Sequence, residues 1–160
     1  GYYRVVAGGR NIWDLNSNCD KVSCAAEANW LDRQMKAHPS RCSIITMHHP
    51  RYSSGLEHGN NTAVKPLWAV AYRHRNDVVL SGHDHDYERI RPDAAGVHYF
   101  VAGIGGKSTV AIRHNCAFQQ FGASGIFGDL IVNADHSTVR VDAVLTDGTL
   151  LDTSSWSKAG

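Results

Sequence analysis

Two short stretches carry the residue types that could do chemistry. Val78-Val79-Leu80-Ser81-Gly82-His83-Asp84-His85-Asp86 runs from an apolar, β-branched segment through a glycine to two histidines with one spacer between them. Ser43-Ile44-Ile45-Thr46-Met47-His48-His49-Pro50, 35 positions earlier by its first histidine, is again an apolar run that ends on histidine. Neutral imidazole is a ligand for zinc, iron and other first-row metals, whereas magnesium and calcium prefer oxygen. A strand that delivers imidazoles from its carboxyl end places them where α/β sheets keep their chemistry. If the backbone stays extended past Gly82, His83 and His85 point to one side and Asp84 to the other. The same alternation argues that His48 and His49 do not both aim at one point, so His49 is expected to stay out of the ligand set.

These residues need elements to hold them. Between the two strands, apolar positions Leu67, Val70 and Ala71 recur at helical spacing from Val64 to Arg75, with Pro66 suited to the first turn and His74 a partly buried helix residue. The unit is therefore a βαβ crossover, which puts its strands adjacent, or one strand apart, in a parallel sheet. Topology alone thus predicts that His48 and His83 converge. Ahead of this unit, Tyr2 to Ala7 and Asn11 to Leu15 read as strands around Gly8-Gly9-Arg10. Ala28, Leu31 and Met35, widened by Trp30, mark a core-facing helix from Ala25 to His38 that Pro39 ends, and a parallel strand follows from Arg41 to Met47.

The second half changes character. Arg51 to Thr62 is a loop on its glycines, serines and asparagines, and Gly103 to Ser108 is a glycine-rich connection lacking the glycine a phosphate loop requires at Val101. Val97–Ala102, Ile126–Asn133, Thr138–Leu145 and Thr149–Asp152 read as an antiparallel meander, with turns at Asp135-His136-Ser137 and Asp147-Gly148. The expected class is α/β (α+β), one domain over residues 1–160, with a mixed sheet or sandwich flanked by helices. Residues 113–125 carry no readable signal.

Composition narrows the partners. Net charge is +1 from 16 basic and 15 acidic residues with scattered arginines, which speaks against a nucleic-acid surface. No apolar run is long enough to span a bilayer. Cys19, Cys24, Cys42 and Cys116 fit no zinc ribbon or finger; Cys19 and Cys24 flank a short loop and could close a disulfide, which points to an exported protein. The chain opens on Gly1, so the natural amino terminus is expected upstream.

Gly82-His83-Asp84-His85-Asp86-Tyr87-Glu88-Arg89, together with His48-His49-Pro50-Arg51-Tyr52-Ser53-Ser54, resembles the last two metal motifs of the calcineurin-like metallophosphoesterases, in their purple acid phosphatase-like branch. Weaker similarity extends from about Tyr2 to Asp152 and includes Leu15-Asn16-Ser17 and Gly105-Gly106-Lys107-Ser108. The family's earlier motifs have no counterpart, so the chain resembles the carboxyl-terminal half of such an enzyme, the last part of an αββα sandwich.

The resemblance implies hydrolysis of phosphate esters at a centre of two divalent or trivalent transition metal ions (Zn, Fe or Mn). His48 and His83 would bind one ion and His85 the other. His58, ten positions after His48, would meet the substrate phosphate or transfer a proton. Asp84 and Asp86 are candidates to orient the neighbouring imidazoles, and Tyr87, Glu88 and Arg89 to fix the loop. A small phosphorylated substrate, a secreted or periplasmic location and a dependence on the upstream half follow from the same resemblance. The missing ligands are expected on strands beside those of His48 and His83, leaving the isolated chain inactive. The rival reading is a non-catalytic metal-binding or interaction domain that kept three imidazoles, and a third is a structural extracellular domain.

Overall fold

A computed structural model describes residues 1–40 and 42–158. Seven strands form one sheet in the order β1-β2-β3-β4-β6-β5-β7, and three form a second in the order β10-β9-β8. The hairpin β1 (Tyr3–Ala7) and β2 (Arg10–Leu15) pairs Ala7 with Arg10 across Gly8 and Gly9. Both glycines have positive φ, as this tight turn requires. Helix α1 (Cys24–Ala37) starts where Ser23 accepts the Ala26 amide at 3.2 Å, and it buries Ala28, Leu31 and Met35 as their spacing predicts. The Cys19–Cys24 disulfide closes the turn ahead of it. Cys42 is a buried free thiol and Cys116 a half-buried one.

Strands β3 (Ser43–Met47) and β4 (Val78–Ser81) are adjacent and parallel, with α2 (Lys65–Arg73) between them in the chain. β3 is also parallel to β2; Arg41, expected to open this strand, lies outside the described residues. α2 buries Leu67, Val70 and Ala71, while His74 sits at its end against Asp32 of α1 at 2.9 Å. The helices cover one face of the large sheet through a core that includes Trp13, Leu31, Ile45, Leu67 and Val79.

The second half departs from a plain meander. β5 (Tyr87–Ile90) and β7 (Gln119–Ala123), neither expected, form the antiparallel edge of the large sheet. β6 (His98–Ala102) lies parallel to β4 and so belongs to the helix-covered sheet. Only β8 (Gly128–Ala134), β9 (Thr138–Leu145) and β10 (Leu150–Ser157) make the expected meander. It packs on the other face of the large sheet through Val139, Val141 and Ala143 against Val78, Tyr87 and Phe100. Neighbours also differ from expectation at the site. β3 is flanked by β2 and β4, and β4 by β3 and β6, so no sheet edge lies open beside either histidine strand; the edges are β1 and β7.

Candidate metal centre

The carboxyl ends of β3 and β4 deliver imidazoles to one place. His48, His49 and His83 each offer a ring nitrogen, and these atoms lie within 4.8 Å of one another. His83 Nδ1 is 2.9 Å from His48 Nε2, a separation at which one nitrogen carries the proton and the other its lone pair. The predicted convergence of His48 and His83 is thus present.

Two departures from strict alternation reshape the rest. β3 ends at Met47, so His48 and His49 lie beyond the strand, where i and i+1 need not oppose each other. His49 therefore joins the cluster that the alternation argument excluded it from. Its position is held by Ser17, a buried residue whose Oγ accepts the His49 amide at 2.7 Å and pairs with His49 Nδ1 at 3.0 Å. Ser17 is itself fixed through α1, because the buried Glu27 carboxylate accepts the amide of the adjacent Asn16 at 2.7 Å. A doubled histidine before proline was the signal in the sequence.

The second departure is at His83. Its φ is +71°, a left-handed conformation that non-glycine residues adopt at a cost, so the backbone is not extended past Gly82. His83 and His85 therefore do not share a face of a strand. His85 stands outside the triad, its Nδ1 3.3 Å from Ser108 Oγ in the glycine-rich connection.

Burial and mutual proximity favour neutral imidazole here. Desolvation, followed by the nearby His58, His49 and His48, pulls the His83 pKa down to about 4, and His49 is lowered by desolvation and by His48. Neutral rings are the ligating form, so the donor set suits a borderline transition metal. No carboxylate joins this triad among the described residues.

His58 reaches the site from the loop. Its ring stacks on that of His83 at 3.8 Å between centroids, beside an open pocket of about 380 Å³ lined in part by Glu57, Asn61, Thr62 and His83. Asp84 and Asp86 do not touch an imidazole through hydrogen bonds. Asp84 is fully buried and accepts the backbone amides of His58 and Gly59, whereas neither carboxyl oxygen of buried Asp86 has a partner among the described residues. Burial, then the charges of Glu88 and Asp84, push Asp86 up to about 8. Glu88 ties the loop to the sheet, accepting from Ser53 Oγ, Ser54 N, Ser54 Oγ and Gln119 Nε2 at 2.6–2.9 Å. Arg89 and the Tyr87 hydroxyl instead bind Asp152 of β10, joining the two sheets.

No family model matches the chain. Among curated relatives, purple acid phosphatase 21 of Arabidopsis thaliana is 30% identical over 124 residues, 70% of this chain and 28% of that protein. Purple acid phosphatase 23 of the same plant is 28% identical over 116 residues, 66% of this chain and 25% of the relative. The chain thus spans about a quarter of the length of these relatives. A purple acid phosphatase from yellow lupin (Lupinus luteus) seeds superposes with a TM-score of 0.86 at 19% identity, covering 98% of this chain and 32% of that one. GAP50, the anchor in the inner membrane complex of Plasmodium, superposes with a TM-score of 0.77 at 15% identity, over 100% of this chain and 54% of that one. A dimetal phosphatase from Danio rerio does so at 0.63 and 12% identity, over 99% and 60%.

Proposed function

We propose, from the premise that this chain is purple acid phosphatase-like in sequence and in fold, that it forms part of a metal-dependent phosphate ester hydrolase. The observation that carries the reading is the convergence of three imidazole donors at the ends of two adjacent parallel strands. His48 and His83 would hold one transition metal ion, with His49 beside them as a third donor, and His85 would serve a second. The remaining ligands come from the upstream half of the same protein. A bound pair of such ions supplies Lewis acidity toward the phosphoryl oxygens and acidifies water.

The chain's own residues do the rest. Ser17 holds His49 in orientation. His58, exposed at the pocket and stacked over His83, is placed to meet a small phosphorylated substrate and pass a proton to the departing oxygen. The Cys19–Cys24 disulfide agrees with a secreted or periplasmic setting. A second reading, a non-catalytic metal-binding or interaction domain, draws on the lack of a carboxylate in the triad among the described residues.

Calorimetric zinc titration of this chain tests the metal site. Affinity should fall at least ~10-fold in His83→Ala, as loss of one ligand from a small site implies. Unchanged affinity in a His48→Ala, His83→Ala double variant overturns it. Hydrolysis of p-nitrophenyl phosphate separates the two readings: negligible turnover by this chain and metal-dependent turnover once it is joined to its upstream half favour the hydrolase, and no turnover in either favours the binding domain.

A further inference from the structure

We infer that the buried Asp84 carboxylate is a positioning residue that latches the 55–59 loop and so fixes His58 over the imidazole cluster. The inference rests on the functional reading above for the use of His58, but its geometry stands by itself. Asp84 lies between His83 and His85 in the chain, and the left-handed backbone at His83 turns it inward, its own amide bonded to the Gly82 carbonyl at 2.9 Å. There the side chain is 0% exposed. One carboxylate oxygen accepts the His58 amide at 3.1 Å and the other the Gly59 amide at 2.9 Å.

The surroundings are cut to fit this carboxylate. A Cβ on Gly55 would stand 2.3 Å from Asp84 Cγ and within 2.7 Å of both oxygens, so only glycine lets the loop close on it. A Cβ on Gly103 would stand 1.9 Å from the Asp84 carbonyl oxygen, so glycine is needed for the close approach to the backbone of this segment as well. Gly59, at φ +68°, makes the bend that turns two successive amides toward one carboxylate.

His58 needs such a device. Its side chain is exposed, and apart from the ring stack on His83 its nearest ionic partner is the exposed Glu57 at 3.8 Å. An exposed stack of this kind holds a loop weakly, whereas two amides bonded to one buried carboxyl group make a firmer hold. Because Asp84 follows His83 in the chain, the loop histidine is fastened next to the imidazole that it covers. Asp84 touches neither ring and acts only through the backbone.

The test uses this chain at neutral pH, labelled throughout with nitrogen-15 for nuclear magnetic resonance in the metal-free state, with zinc affinity measured separately. In Asp84→Ala, and to a lesser degree in Asp84→Asn, the His58 and Gly59 amide protons should leave their downfield positions and the His58 ring should lose the upfield displacement that stacking on His83 imposes. Zinc affinity should stay clear of the ~10-fold loss typical when a partner that orients a ligand is removed. Should Asp84→Ala fail to fold, Gly55→Ala is read the same way, since it keeps the carboxylate but drives the loop off it. A His58 ring displacement that survives in the folded variant overturns the latch, whatever zinc does. Absence of zinc binding in the unaltered chain would instead sink the metal reading and leave the latch standing.

Discussion

Two layers of polar residues meet at this end of the sheet and behave in opposite ways. The outer layer is imidazole: His48 exposed, His49 and His83 half-buried, with ring nitrogens left facing one another. The inner layer is carboxylate: Asp84, Asp86 and Glu88, each 0% exposed. Outer side chains keep free lone pairs because no neighbouring group claims them all. Inner ones are claimed, Asp84 by two amides and Glu88 by hydroxyls, an amide and a glutamine, since a buried charge without such partners is costly. The same stretch of chain therefore offers donors for an ion on one side and secures the loop on the other. Asp86 breaks the rule, being buried and without a partner among the described residues.

The largest effect should come from the best-satisfied inner residue. Glu88→Ala strands four donors and should destabilise the chain by about 3–5 kcal/mol; a loss below ~1 kcal/mol in urea unfolding would erase the contrast between layers.

Asp86 should respond in the opposite direction. Its carboxyl, held up to about 8, keeps a proton in the fold that the unfolded chain releases near pH 4, so it removes stability as pH rises through that window. Asp86→Asn should stabilise the metal-free chain by ~2–3 kcal/mol above pH 8 and by little at pH 4. Equal unfolding midpoints for the two proteins across that range would mean the carboxyl finds a partner.

Outside both layers, reduction of Cys19–Cys24 closes no site and should cost only about 2 kcal/mol, the scale for a very short loop. A fall in the thermal midpoint with zinc affinity kept is expected; loss of zinc affinity as well would show that the turn before α1 holds Ser17 and His49.

The smallest effect concerns the outer layer and acid. Burial, then the neighbouring imidazoles, hold His83 down to about 4 in the fold against the usual value near 6.5 unfolded, so its neutral form supports the fold above pH 6.5 and that support drains away between 6.5 and 4. His83→Asn should flatten this part of the acid limb of a metal-free stability curve. An unchanged limb would place the acid sensitivity elsewhere.

What could be read from the residues alone were features that repeat locally. The stripe of Ala28, Leu31 and Met35, the Gly8-Gly9 turn, the apolar runs into His48 and His83 and the β8–β10 meander follow from periodicity and turn chemistry within a few residues. That β3 and β4 run parallel and bring His48 near His83 came from the constraint that a βαβ crossover places on the chain, which allowed the strands to be adjacent or one apart; the structure makes them adjacent.

Tertiary structure decided the rest, because those outcomes depend on partners far along the chain. β7 has no alternating apolar pattern; it pairs with β5, and Gln119 fills space that Gly122 leaves open. His49 enters the cluster because the strand stops before it and Ser17, 32 positions away, takes its amide. His85 leaves it because the backbone at His83 turns left-handed. Asp84 serves a loop 25 and 26 positions earlier in the chain, not the histidines beside it. Local spacing states which residue types are available at a strand end; which of them face one another is set by where the strand stops and what the distant chain offers their amides.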